Sequence, residues 1–406
     1  MSLKTIRDEK VAQWQELACA IYSAGPGGVP ADGKPGELII IGSGLTRMDF
    51  TTEAEHEIRL ADVVFFCVYD SLTRLWLSTL RPDAFDLTVL YAPSQDRYHT
   101  YMQMAEALLF HVRRGRRVLA IYYGHPGIFA TPAHRAIHIA RREGHQARMR
   151  PGISALDYLI ADLGFDPAIP GMLNYEATDM LLRRRRIDPG LHVVLWQVGV
   201  VGEFGYAPEG FGNHGFDLLV DVLEETYGGD WPVINYIASR FPNVEPLIET
   251  NPISALRSQG LRNNVQSLST FYLAPQLASA TDPERSVTLG LTRAGQPVQP
   301  PVCAYDNNQY GEHEHEAVRR LSTFVVPDRY AVPRSTEVAK LLLALSEDSA
   351  FRRHFMSDPI DAMTDTRFSG LSDRERKLLS IPHSLAIEKA LAEAEAEAEV
   401  GAERTN

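Results

Sequence analysis

Cysteine is scarce in this sequence, with three in 406 residues. So few and so widely spaced, Cys19, Cys67 and Cys303 form neither a disulfide framework nor a cysteine-rich zinc site, and they suit a reducing cytoplasm. No run of about 18 apolar residues occurs, so no membrane-spanning helix is expected. The opening MSLKTIRDEKVAQWQ is too polar for a secretory signal. Basic charge is also short, with 40 Lys and Arg against 52 Asp and Glu and a net of −12. Without a basic face, nucleic acid is not an expected partner. Metal-binding histidine pairs with supporting neighbours are missing as well. His134 and His138 stand four apart, but a solvent or interface role is their default, and no metal is assigned.

What is present is ordinary for a globular protein: 45% apolar and 23% charged residues. The length suggests two or three domains. The negative charge is uneven. Residues 388–406 hold six Glu against Lys389 and Arg404, a net of −4, so a third of the net charge sits in that tail.

Residues 1–35 read as a helix (3.6-residue spacing of Val11, Trp14, Leu17 and Ile21) followed by a Gly/Pro linker. From 36 to 275, apolar strands alternate with amphipathic helices, the pattern of an α/β fold in two lobes with a parallel sheet. Strands are expected at 38–41, 63–68, 118–123, 147–150, 192–201, 232–239 and 268–274. Helices are expected at 51–61, 98–113, 131–143, 155–163, 217–227 and 252–261. Residues 276–334 are Pro-rich and read as an extended, irregular connector. Residues 335–387 read as a small all-α module, with Val338, Leu341, Leu342 and Leu345 on one helical face. Ser372 to Glu375 form a capping-box signature. The Ala/Glu tail 388–406 reads as a marginal helix or a disordered segment.

Three constellations could carry chemistry. Gly42-Ser43-Gly44 follows a hydrophobic strand, but Arg47 stands where a dinucleotide fingerprint needs a third Gly, so a plain tight turn competes with a ligand loop. Tyr122-Tyr123-Gly124-His125-Pro126-Gly127 ends another strand, where open α/β sheets place ligands, with His125 as a turn residue the competing reading. Tyr91, Arg97, Tyr101 and Tyr123 form the third set. Singly, each tyrosine reads as packing. Together they would place phenols beside a fixed cation, which favours phenolate.

IIGSGL, YYGHPGIF, RMRPGISALDYLIADL, WQVGVVG and STFYLAP, in this order, resemble the tetrapyrrole methylase superfamily. FFCVYDSLT, RYHTYMQMAEAL, YYGHPGIFATPAHRA and LNYEATDMLL narrow the resemblance to the borosin peptide α-N-methyltransferases. It covers 36–275 closely and extends more weakly to SDRERKLLSIPHSLAIEKAL, which is similar to the helical precursor-like domain of fused borosins. The resemblance implies a two-lobed methyltransferase, an extended clasp segment and a helical module. It implies S-adenosyl-L-methionine as cofactor, S-adenosyl-L-homocysteine as product and an intertwined homodimer. The implied active-site set is Tyr91, Arg97, Tyr101 and Tyr123. The implied cofactor pocket is Tyr123, Gly124, His125, Pro126 and Ile128, with Ser154, Ala155, Gln197, Val198, Gly199, Ser269 and Thr270.

The chain departs from that family at its end. Fused relatives carry an apolar core peptide there, whereas this chain ends AEAEAEAEVGAERTN. Three explanations compete: the tail is the substrate, with Val400, Gly401 and Ala402 as candidate methylation sites; an apolar core has been removed; or the enzyme acts on a separate peptide. The first is favoured, because the precursor-like helix leads directly into the tail. Two other functions stay open. A small-molecule methyltransferase of tetrapyrrole type would have no use for the helical module and tyrosine set. A precursor carrier without activity would not bind S-adenosylhomocysteine, which calorimetry would reveal.

Overall fold

Strand β1 (Glu37–Gly42) shows how apolar runs become the first sheet. Leu38 and Ile40 face one core with Met104, Leu108, Ala133 and Ala136. Ile39 and Ile41 face the opposite core with Ala54, Ile58 and Leu77. A strand buried on both faces belongs in the middle of a parallel sheet. In the computed structural model, which describes residues 3–27, 33–93, 95–207, 210–241, 243–277, 282–291, 311–327 and 335–403, that is its position. The other strands of this sheet are β2 (Val63–Cys67), β3 (Phe85–Asp86), β4 (Arg117–Tyr122) and β5 (Gln146–Met149). All pairs are parallel, in the order β3-β2-β4-β1-β5.

Helices cover both faces. Helices α2 (Thr52–Leu60) and α3 (Ser71–Leu80) lie on one side. Helices α1 (Leu3–Ala24), α4 (Arg97–Val112) and α5 (Thr131–Arg142) lie on the other. Their starts are written in the sequence. Thr51 accepts from the Ala54 amide at 3.1 Å, and Asp70 from Leu72 and Thr73. These caps satisfy orphan amides at the helix starts.

The second lobe is a mixed sheet of β6 (Met172–Glu176), β7 (His192–Trp196), β8 (Pro232–Ile237), β9 (Leu247–Pro252) and β10 (Thr270–Leu273), ordered β6-β7-β10-β8-β9. Only β6 and β7 pair in parallel. α6 (Ala155–Leu163) packs Leu159 on one face, against Val194, Trp196 and Tyr236. α7 (Ala177–Leu182) and α8 (Phe216–Tyr227) cover the other, beside Val193, Leu195 and Phe271.

The apolar run 192–201, expected as one strand, divides. It is strand only to Trp196. Gln197 then takes φ +58°, and Val198–Val200 form a 3-10 turn. Residues 252–261 divide as well, into a 3-10 turn Ile253–Arg257 and a short helix α9 (Gln259–Asn264).

The remaining residues, 281–406, form a second unit. The connector is not wholly irregular: it holds α10 (Pro283–Thr288) and α11 (Glu312–Arg320), while 278–281, 292–310 and 328–334 lie outside the described residues. The helical module comprises α12 (Glu337–Glu347), α13 (Ser349–Ser357), α14 (Pro359–Ala362), α15 (Asp373–Leu379) and α16 (Ser384–Glu403). The Ser372–Glu375 capping box is formed, with Glu375 accepting from the Ser372 amide at 2.7 Å. The Ala/Glu tail is helical through Glu403, because Ala390 and Ala394 are buried in the module's core beside Val338, Leu341 and Leu379. Among the described residues, no helix is long and apolar enough to cross a membrane.

Candidate active site

Three loops meet at the carboxyl edge of the first sheet. Gly44 and Gly124 pair as an antiparallel bridge, with the Gly124 amide 2.9 Å from the Gly44 carbonyl. A Cβ at Gly42 would lie 2.2 Å from the Gly124 carbonyl oxygen, and one at Gly152 would lie 2.8 Å from the same atom. Backbone meets backbone here, so nothing can yield. The Gly42→Ala protein is expected to lose about 1–3 kcal/mol of stability, read as a lowered midpoint in denaturant unfolding.

The Gly42-Ser43-Gly44 turn is therefore a packing device. Its amides are engaged internally: Ser43 N–H donates to the Tyr122 carbonyl, and Leu45 and Thr46 N–H donate to Asp49 at 2.8 and 2.9 Å. Asp49 also accepts from the Tyr158 hydroxyl at 2.9 Å. A pyrophosphate would need such amides free. A nucleoside sulfonium, which carries no phosphate, would not.

The residues of the expected cofactor pocket fall into two neighbouring pairs of segments. Tyr123 to Ile128 leave β4 and adjoin the start of α6, where the Gly124 Cβ position is within 4.0 Å of Ser154 Cα. His125 is a turn residue: its Nδ1 accepts from the Gly127 amide at 3.0 Å. Ser154 caps α6, accepting from Leu156 and Asp157 N–H and donating to Asp157 Oδ2 at 2.6 Å. Its hydroxyl is thus engaged in the cap, and Ala155 opens the helix. In the second lobe, Gln197, Val198 and Gly199 lie against the segment leading to Ser269 and Thr270. A Cβ on Gly199 would lie 1.9 Å from the Gln266 carbonyl oxygen, and Ser269 Oγ accepts from the Gln266 amide at 2.9 Å. The two groups approach through Phe129, whose ring is 6.1 Å from Trp196. Trp196 immediately precedes Gln197, and its indole donates to Asn174.

The tyrosines converge. Tyr91 and Tyr101 pack against the first lobe's core. Their phenols lie within electrostatic reach of each other and of Tyr69. Tyr206 from the second lobe packs on Tyr91 at 5.4 Å between ring centroids, its ring tilted by 34°, and Tyr69 meets Tyr123 edge-on at 6.1 Å. Tyr69 and Tyr206 were not singled out by sequence. Tyr69 follows β2 by two residues, so the carboxyl-edge rule that selected Tyr123 selects it too. Tyr206 has no local signal.

Arg97 turns its donors toward the second lobe. Its guanidinium donates to the carbonyls of Glu203 at 2.7 Å and Gly205 at 2.9 Å, and its amide donates to that of Phe204 at 3.1 Å. It lies over the Phe211 ring at 5.6 Å. Arg97 thus fastens the 203–206 loop, and with it Tyr206, onto the start of α4. Burial pushes the Tyr91 and Tyr69 phenols well above their ordinary range. It pushes Tyr123 up to about 12, against a smaller downward pull from Arg240 across the cleft. These three buried phenols are held in the protonated, donating form. Among the described residues, no three His, Cys, Asp or Glu side chains cluster as metal ligands.

Comparison with known proteins shows the family to which the chain belongs. Residues 37–191 match the family model of tetrapyrrole (corrin/porphyrin) methylases, and 309–406 match that of the borosin biosynthesis clasp domain. A methyltransferase/ribosomally synthesized type I borosin cyclic peptide precursor of Coprinopsis marcescibilis is 39% identical over 86% of this chain and 91% of its own length. The chain belongs to the borosin methyltransferase/precursor family. A type III borosin precursor of Anomoporia bombycina is 38% identical over 92% of this chain, which spans 45% of that relative's length. Cobalt precorrin-4 methyltransferase, a solved cobalamin biosynthetic enzyme, aligns with 59% of this chain and 94% of its own at 16% identity, with a TM-score of 0.42. In this borosin chain, the match to the clasp model takes in the connector's end, the helical module and the tail together.

Proposed function

We propose that this protein uses S-adenosyl-L-methionine to N-methylate backbone amides of a peptide, and that the peptide is its own C-terminal tail, presented to the partner protomer of an intertwined homodimer. The observation that supports this most directly is the gathering of Tyr69, Tyr91, Tyr101 and Tyr206 next to Tyr123 at the sheet's carboxyl edge. Segments 123–128 and 154–155 from one lobe, and 197–199 and 269–270 from the other, would hold the cofactor. The absence of any need for phosphate-binding amides suits a nucleoside sulfonium.

The chemistry explains the phenols. An amide nitrogen is a poor nucleophile, because its lone pair is delocalised into the carbonyl. Methylation requires imidate character. A phenol facing an amide about five pK units less acidic leaves a gap of about 7 kcal/mol. Tyrosines kept protonated by burial serve as donors: Tyr91, with Tyr123, hydrogen-bonds the peptide carbonyl and stabilises the charge that develops on its oxygen. Tyr101, acting in its phenolate form, would accept the amide proton and end as a phenol. When bound, S-adenosylmethionine supplies an electrophilic methyl. The rigid aromatic walls would hold the amide nitrogen in line with that methyl.

Intact-mass measurement of the expressed chain is expected to show steps of one methyl mass, localised by tandem spectra to residues 400–402. An unmodified tail with added S-adenosylmethionine overturns self-modification. A second reading, the same chemistry on a separate peptide, is favoured by one observation: α16 carries the tail in a folded helix with Ala390 and Ala394 buried.

A further inference from the structure

The reaction proposed above needs a free amide, and a helix does not offer one. Each helical N–H donates to the carbonyl four residues back, and a methyl on nitrogen would take that hydrogen's place. α16 runs to Glu403, so the backbone of Val400, Gly401 and Ala402 is helical. Transfer there requires unwinding, and the substrate segment extends only as far as unwinding does.

Two ties hold the first part of α16. Ala390 and Ala394 are buried in the module's core. Arg374 of α15 donates from Nε and Nη2 to both carboxylate oxygens of Glu393, at 2.7 and 2.6 Å. A bidentate fork fixes geometry as well as charge. Up to residue 398, Glu393 is the last to carry an ion pair, and the same arginine also attracts Glu397 at longer range. Beyond it the sequence weakens its own helix. Glutamates accumulate at the negative end of the helix dipole. Gly401 is a poor helix former. The helix melts most readily from its end back to the tie.

We propose that the Arg374–Glu393 pair is the stop that sets the N-terminal limit of the tail segment that can be unwound and methylated. This rests on the tail being substrate. It also gives the acidic composition a function: the charge loosens the end of the helix, while one glutamate, paired with arginine, holds its base.

The test compares the full chain, Arg374→Ala and the charge exchange Arg374→Glu with Glu393→Arg, each incubated with S-adenosylmethionine. The Arg374 side chain is 67% exposed, so its removal leaves the module's core in place. Tandem spectra map the methyl groups, and hydrogen exchange follows amides 391–397. In the parent, methylation is expected only beyond Glu397. In Arg374→Ala, those amides should exchange about threefold faster, and methylation should reach up to a turn further toward Glu393. The charge exchange should restore both. An identical methylation limit in all three chains overturns the stop while leaving self-modification standing. Unchanged exchange in Arg374→Ala overturns it whatever the methylation. A tail unmethylated in every chain removes the underlying reading, and the stop with it.

Discussion

Tyr101→Phe is expected to bind S-adenosylhomocysteine as the parent does and to transfer methyl groups about 10²–10⁴ times more slowly, the usual worth of a positioned proton acceptor. The ring of Tyr101 packs against the first core, and phenylalanine keeps that packing. Only the oxygen is lost. Single-turnover methylation followed by mass spectrometry, with calorimetry for the cofactor product, separates the two effects. The neighbouring phenols make poor substitutes, since burial holds Tyr91 and Tyr69 well above their ordinary range. As proton donors they can still stabilise the peptide oxygen. Full single-turnover rate in Tyr101→Phe would return the proton-accepting role to another group.

The parts of this fold that were legible in the sequence are those whose signal is local. β1 announced itself because a strand buried on both faces is an unbroken apolar run. α6 did so through Ser154 and Asp157, and α15 through Ser372 and Glu375, because capping is chemistry between near neighbours. β6 and β9 were not legible. They are the edges of the second sheet, with alternate or partial burial, and residues such as Asn174, Glu249 and Asn251 dilute their hydrophobicity. The division of 192–201 was hidden because Val198 and Val200 are buried as deeply as a strand would bury them, and only the backbone at Gln197 turns. The tyrosine set was legible in part for the same reason. Tyr91 and Tyr101 lie near one another in sequence, but Tyr206 reaches Tyr91 from the other lobe. The tail misled through composition: an alanine–glutamate run reads as marginal helix, and nothing local indicates that Ala390 and Ala394 complete a core.

Arg97→Ala is expected to lower the rate about 100-fold, the cost of displacing a catalytic group by about 1 Å. The guanidinium bridges two carbonyls of the 203–206 loop. An ammonium makes a point contact where the fork made two, so Arg97→Lys should recover little of the loss. If Arg97 tuned a phenol by charge, its removal would move the pH profile of transfer, while the loop stayed as protected as before. If it fastens the loop, the pH profile keeps its shape, and amide exchange at 203–207 rises. The geometry supports the second case, because the nitrogens of Arg97 that have partners are directed at backbone oxygens of the second lobe. A neutral side chain cannot hold Tyr206 over Tyr91, and the peptide carbonyl then loses the rigid wall against which it is placed. A shifted pH profile with unchanged exchange would restore Arg97 as the electrostatic partner of the phenols.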